Sequence, residues 1–123
     1  MINKPRHNFR KLEVWKESIS LTTEVFKTTK KFPTDERFGI ISQMNRSSVS
    51  VPSNIAEGTS RKSDKHFVTF LETALGSAFE LETLLIISNN VGYLDDLEFE
   101  KLIAKDHFVQ NMIYNLIEKL ENN

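Results

Sequence analysis

Cysteine is absent from this 123-residue chain, and glycine (4), proline (3) and histidine (3) are scarce. Without cysteine there are no disulfides, no thiolate nucleophile and no zinc-thiolate site. No Gly-x-x-x-x-Gly-Lys-[Ser/Thr] string is available to cradle a phosphate, and no His-Glu-x-x-His or Gly-x-Ser-x-Gly occurs. The residues three before His66 and His107 are Ser63 and Ala104, so the Glu-x-x-His pairs of a di-metal helical bundle are missing. No apolar run is longer than Leu84 to Ile87 and no apolar core of a secretion signal is seen, which predicts a cytoplasmic protein without membrane contact. These absences predict a protein that is not an enzyme and carries no cofactor and no metal.

What the chain does have is helical periodicity and an uneven distribution of charge. The net charge is −1, yet residues 1–66 hold 13 Lys/Arg against 7 Asp/Glu while residues 67–123 hold 3 against 10. Halves of opposite sign either pair with each other, within a chain or between subunits, or leave a basic surface that meets phosphates. Residues 1–8 lack periodicity and contain Pro5, which predicts a flexible arm ahead of a bundle domain over residues 9–121.

A first helix is expected from Phe9 to Lys31, with one apolar stripe of Leu12, Trp15, Ile19, Thr22 and Phe26 and a second of Val14, Leu21 and Val25. More of this helix is covered than one core requires. Phe32-Pro33 ends it, and Thr34 is the expected N-cap of a second helix over Asp35 to Gly58. Ser63 caps a third helix to about Asn90, Gly92 supplies the left-handed turn position, and Asp95 with Glu98 opens a fourth helix to about Leu120. The expected fold is therefore all-α: an antiparallel up-down-up-down four-helix bundle whose second helix is kinked at Pro52.

The stretch Gln43 to Arg61 carries two seams. Met44, Ser48, Val51 and Ile55 form a core stripe, while Gln43, Ser47, Ser50, Asn54, Glu57 and Arg61 recur on the opposite side at alternating steps of four and three. Small hydroxyls and amides there permit close approach of another backbone. They are read as an oligomer surface. Gly58 is the expected left-handed helix cap, and Glu82, at the edge of the third helix's apolar arc, needs a partner, for which Arg46 or the polar seam is expected. The cations Arg46, Arg61, Lys62 and Lys65 around this stretch, joined by Lys27, Lys30, Lys31 and Arg37 around the first inter-helix turn, are the candidate nucleic-acid contacts.

The order Leu12-Glu13-Val14-Trp15, Phe32-Pro33, Arg46-Ser47-Ser48-Val49-Ser50-Val51-Pro52-Ser53-Asn54-Ile55-Ala56-Glu57-Gly58, Gly76-Ser77, Glu80-Leu81-Glu82-Thr83 and Gly92-Tyr93 resembles the four-helix-bundle family named after proteins encoded in intervening sequences of bacterial 23S ribosomal RNA genes. The resemblance covers about residues 9 to 120. It implies antiparallel bundles assembled as pentameric rings, Pro52 inside a continuous helix, and a signature surface that includes Asn54, Glu57 and Arg61. A related branch, the accessory variability determinant of diversity-generating retroelements, is a basic pentamer that binds nucleic acid and a reverse transcriptase. This chain is slightly acidic and has Asn45-Arg46 where the family has paired arginines. The resulting expectation is a homo-oligomer that serves as an RNA- or DNA-associated accessory or scaffold. The rival is a protein-binding oligomeric scaffold without nucleic-acid affinity.

Overall fold

The computed structural model describes residues 8–122; the arm expected over residues 1–8 lies outside them except for Asn8. The chain folds into four helices, α1 (Glu13–Thr29), α2 (Ile40–Thr59), α3 (Asp64–Asn90) and α4 (Asp96–Glu121). Each packs on the next and α1 closes onto α4, with α2 against α3 the most extensive pairing. Cross-links run in opposite directions along consecutive helices. Thr22 meets Ser48 and Thr29 meets Asn45; Gly58 meets Phe67 and Ser50 meets Ser77; Glu82 meets Gln110 and Asn89 meets Asp96. Consecutive helices are thus antiparallel. The core is a single cluster that includes Leu21, Val25, Met44, Val51, Ile55, Leu71, Leu81, Leu85, Leu102, Val109 and Ile113.

The helix starts show where local chemistry prevails. Ser63 accepts from the His66 amide and Asp95 from the Glu98 amide, at 3.1 and 2.8 Å, each satisfying a first-turn donor. Gly92, with φ of 85°, is the one described residue in the left-handed region, as the turn requires. Two starts differ from expectation. Phe9–Lys11 form a 3-10 turn capped by Asn8, and extended Leu12 separates it from α1. Thr34–Glu36 likewise form a 3-10 turn without a side-chain cap, so Thr34 is not the cap of α2, which begins after Gly39 with its non-helical φ of −109° and ψ of −115°. The acidic pair Asp35-Glu36 belongs to that turn. Glu36 accepts from the Tyr93 hydroxyl at 2.7 Å, raising the phenol's pKa, and the Phe32 and Tyr93 rings meet at 5.7 Å.

Helix α2 runs through Pro52 without interruption. A proline inside a helix leaves the carbonyl four residues earlier without its donor, and that carbonyl is Ser48. The Thr22 hydroxyl of α1 lies 2.8 Å from it and supplies the missing hydrogen bond, in competition with its own Ser18 carbonyl at 2.9 Å. Pro52 is itself buried. The same α1 contact therefore covers the ring and satisfies the carbonyl it orphans.

Gly58 is not a left-handed cap. It lies inside α2, buried, and a Cβ on it would stand 2.7 Å from Phe67 Cδ1 and 3.0 Å from Phe70 Cβ. The glycine lets the opening of α3 pack directly on the backbone of α2.

Candidate functional site

The second seam of α2 faces α3 of the same chain. Ser47 is 4% exposed and donates to the Met44 carbonyl, and Ser50 shares a 2.7 Å hydrogen bond with Ser77. The Asn54 amide caps the Ser50 carbonyl and hydroxyl at 2.8 and 3.0 Å. Ser47 is therefore an internal residue of the monomer, not part of an exposed oligomer surface. Its position on the wheel is the flank where α3 approaches. Gln43, Glu57 and Arg61 stay exposed along the rim of the seam. A polar cleft of about 410 Å³ opens there, lined by Gln43, Arg46, Ser47, Ser50, Ser77 and Glu80. Glu80 on its wall reduces the appeal of the cleft to a polyanion, although Arg46 also lines it.

All eight candidate cations are exposed, and none forms an ion pair among the described residues. They do not form one patch. Lys27, Lys30, Lys31 and Arg37 surround the turn between α1 and α2, whereas Arg61, Lys62 and Lys65 surround the turn between α2 and α3. The 20 residues of α2 separate these ends, a rise of about 30 Å. Arg37 and Arg61 lie over the rings of Phe38 and Phe70, at 5.0 and 4.5 Å from the centroids. The described ion pairs join Lys16 to Glu13, Lys101 to Glu98 and His107 to Glu82. None joins the basic half of the chain to the acidic half.

Of the two apolar stripes on α1, the one bearing Val14, Leu21 and Val25 is the core. The other is only partly covered: Leu12 and Trp15 pack against the edge of the core, while Ile19 and Phe26 stay exposed. Trp15 packs edge-on against Phe9 at 5.3 Å, and with Ile19, Val49 and Ala56 these residues line a groove of about 310 Å³ over Pro52. Phe26, 41% exposed, extends the apolar surface toward Val49. On the opposite side of the bundle, Phe79 and Ile86 are 52% and 41% exposed. Seven residues apart, they share the flank of α3 that adjoins α4, where Tyr114 is also exposed.

Glu82 does not meet Arg46 or the α2 seam. It lies on that same α4-facing flank, where Gln110 donates to its Oε1 at 2.8 Å and His107 Nε2 is 3.1 Å from its Oε2. These two partners hold its pKa below the usual carboxylate range, against the opposing effect of burial. Gln110 also donates to Asp106 at 3.1 Å, and Asp106 is fully buried. Along the sequence Asp106 interrupts the apolar spacing of Leu102, Val109 and Ile113. The usable signal is the pair of carboxyls on antiparallel helices, Glu82 at the edge of one apolar arc and Asp106 within the arc that faces it. Among the described residues no group of His, Asp and Glu could hold a metal ion, and no helix is long and apolar enough to cross a membrane.

The fold is that of a solved protein of unknown function from the S23 ribosomal protein family of Bacteroides thetaiotaomicron VPI-5482. The two share 21% identity with a TM-score of 0.77, over 85% of this chain and 97% of the other. No curated protein matches the sequence. Residues 10–115 match the family described as 23S rRNA-intervening sequence proteins. That match spans both hairpins and the Arg46 to Gly58 string, and the chain belongs to this family.

Proposed function

We propose that the protein is a non-enzymatic, self-assembling scaffold whose copies join head to tail, the α1/α2 face of one against the α3/α4 face of the next. The observation that carries this reading is the pairing of what each half leaves unsatisfied. An apolar groove on the basic half and an apolar flank on the acidic half lie on opposite sides of the bundle, and no described ion pair uses up the charge difference inside the chain. A surface that fits a different surface of an identical copy gives rings or filaments. The resemblance to the family implies a ring of five. Light scattering at micromolar concentration tests this: an oligomer is expected, reduced to monomer by Ile19→Asp or Phe79→Asp with the helix content intact. A native monomer at tens of micromolar would end the reading.

The second element is contact with RNA or DNA, favoured by the grouping of Lys27, Lys30, Lys31 and Arg37 at one end of the bundle, free of described ion pairs. Assembly would repeat this cluster around a ring and multiply weak phosphate contacts. A titration of fluorescent RNA and DNA at low and near-physiological salt should show binding that weakens steeply with salt and is lost on charge reversal of these four residues. Absence of binding at low salt leaves a protein-binding scaffold.

A further inference from the structure

Asp106 is the one ionisable side chain that is fully buried among the described residues. It stands on α4 one turn from Leu102 and Val109, both buried, at a position that packing alone would give to an apolar residue. Its Oδ2 accepts from Gln110 and its Oδ1 has no hydrogen-bond partner. The Gln110 amide bridges two carboxyls, Asp106 inside and Glu82 at the rim, and Glu82 is tied in turn to His107. The chain of contacts runs from core to surface across the α3–α4 interface.

We propose that Asp106, Gln110, Glu82 and His107 form a proton-operated latch between α3 and α4, closed while Asp106 is the neutral acid and loosened when it ionises.

The surroundings of Asp106 favour the neutral form. From α3 it faces the Glu82 carboxylate, and on α4 the nearest basic group is His107, which is already engaged by Glu82. Lys105 is turned to the Ser20 hydroxyl of α1, 2.8 Å away. The core faces of α1 and α2 present no charge: Val14, Ser18, Leu21 and Val25 on one, Met44, Ser48, Val51 and Ile55 on the other. The charged groups of α1 nearest α4, Glu17 and Glu24, are half-buried acids. An ionised Asp106 would be a buried charge with one unsatisfied oxygen, linked by a neutral amide to a second negative carboxylate. Burial, reinforced by Glu82, pushes Asp106 up to about 7 against the Gln110 bond and His107.

The sign follows from proton counting. Between the ordinary aspartate value of 3.8 and about 7 the folded chain holds a proton that the unfolded chain releases, so stability falls as pH rises through that window and levels off above it. The proton passes to solvent, one per chain. Because Glu82 lies between Phe79 and Ile86 on α3, the latch sits within the exposed apolar flank. The proposal can be tested on the monomer and does not depend on assembly.

The direct test is the carboxyl carbon titration of the native protein. An aspartate resonance with a midpoint near 7, absent from Asp106→Asn, is expected; all aspartates titrating below about 5 would overturn the latch. Thermal unfolding gives the second readout. The native midpoint should fall by more than about 5 °C between pH 5 and pH 8, and Asp106→Asn should lose most of that slope. Native amides around Glu82 and Asp106 should lose exchange protection at pH 8 relative to those of α2. An equal pH slope in Asp106→Asn, or uniform exchange across helices, would contradict a latch at this interface.

Discussion

The two hairpins of the bundle are tied by different chemistry. Between α1 and α2 the cross-links are neutral: the Thr22 hydroxyl on the Ser48 carbonyl and the Thr29 hydroxyl on the Asn45 amide. Between α3 and α4 they run through carboxyls, an amide and an imidazole, with one carboxyl in the core. The seam that joins the hairpins, α2 on α3, uses a glycine and small hydroxyls. The hairpin that carries excess positive charge is thus held by neutral groups, whereas the acidic hairpin holds a carboxyl, Asp106, that burial pushes up to about 7. Changes in volume should damage the first and the seam, and changes in pH the second.

The largest effect is expected at the seam. Gly58→Val forces branched carbons into Phe67 and should cost about 3 kcal/mol or more, read from the denaturant midpoint; Gly58→Ala shifts it in the same direction by less. An alanine as stable as wild type would refute the close approach of the helices. Ser47→Leu should lower fold stability by about 2 kcal/mol, because Ser47 is internal to the monomer.

Next comes the proline site. Thr22→Val leaves the Ser48 carbonyl without a donor and should cost about 1 kcal/mol. In a Pro52→Ala background, where the residue 52 amide becomes the donor, the same change should cost clearly less. Equal costs in the two backgrounds would show that Thr22 matters for packing alone. The smallest effect is expected from Ser50→Ala and Ser77→Ala, under about 1 kcal/mol each and less than additive, because they share one hydrogen bond.

Much of this architecture is legible in the sequence. Ser63, Asp95 and Gly92 act as their local chemistry predicts, since capping needs only neighbours in the chain. What depends on a facing helix is not legible. Gly58 has the signature of a helix stop, because a glycine that ends a helix and one that admits Phe67 look alike along the chain. The wheel of α1 shows two apolar stripes but not which one turns inward. Ser47 falls opposite the core stripe of α2, yet that flank is covered because α3 approaches it. Glu82 announces its need for a partner, while the choice of Gln110 and His107 over Arg46 is set by α4. The sequence places cations around two turns, but not that these turns stand at opposite ends of the bundle with Arg46 between them, which follows from the 20-residue helix α2.

The most direct test of head-to-tail assembly is a mixing experiment. Two variants are made, Ile19→Asp with an altered α1/α2 face and Phe79→Asp with an altered α3/α4 face, and their masses are measured by light scattering alone and together. Each should be monomeric alone, and an equimolar mixture should give a dimer and stop there, since each variant retains the one face the other needs. A mixture that stays monomeric, or a single variant that still forms the native oligomer, would contradict the account.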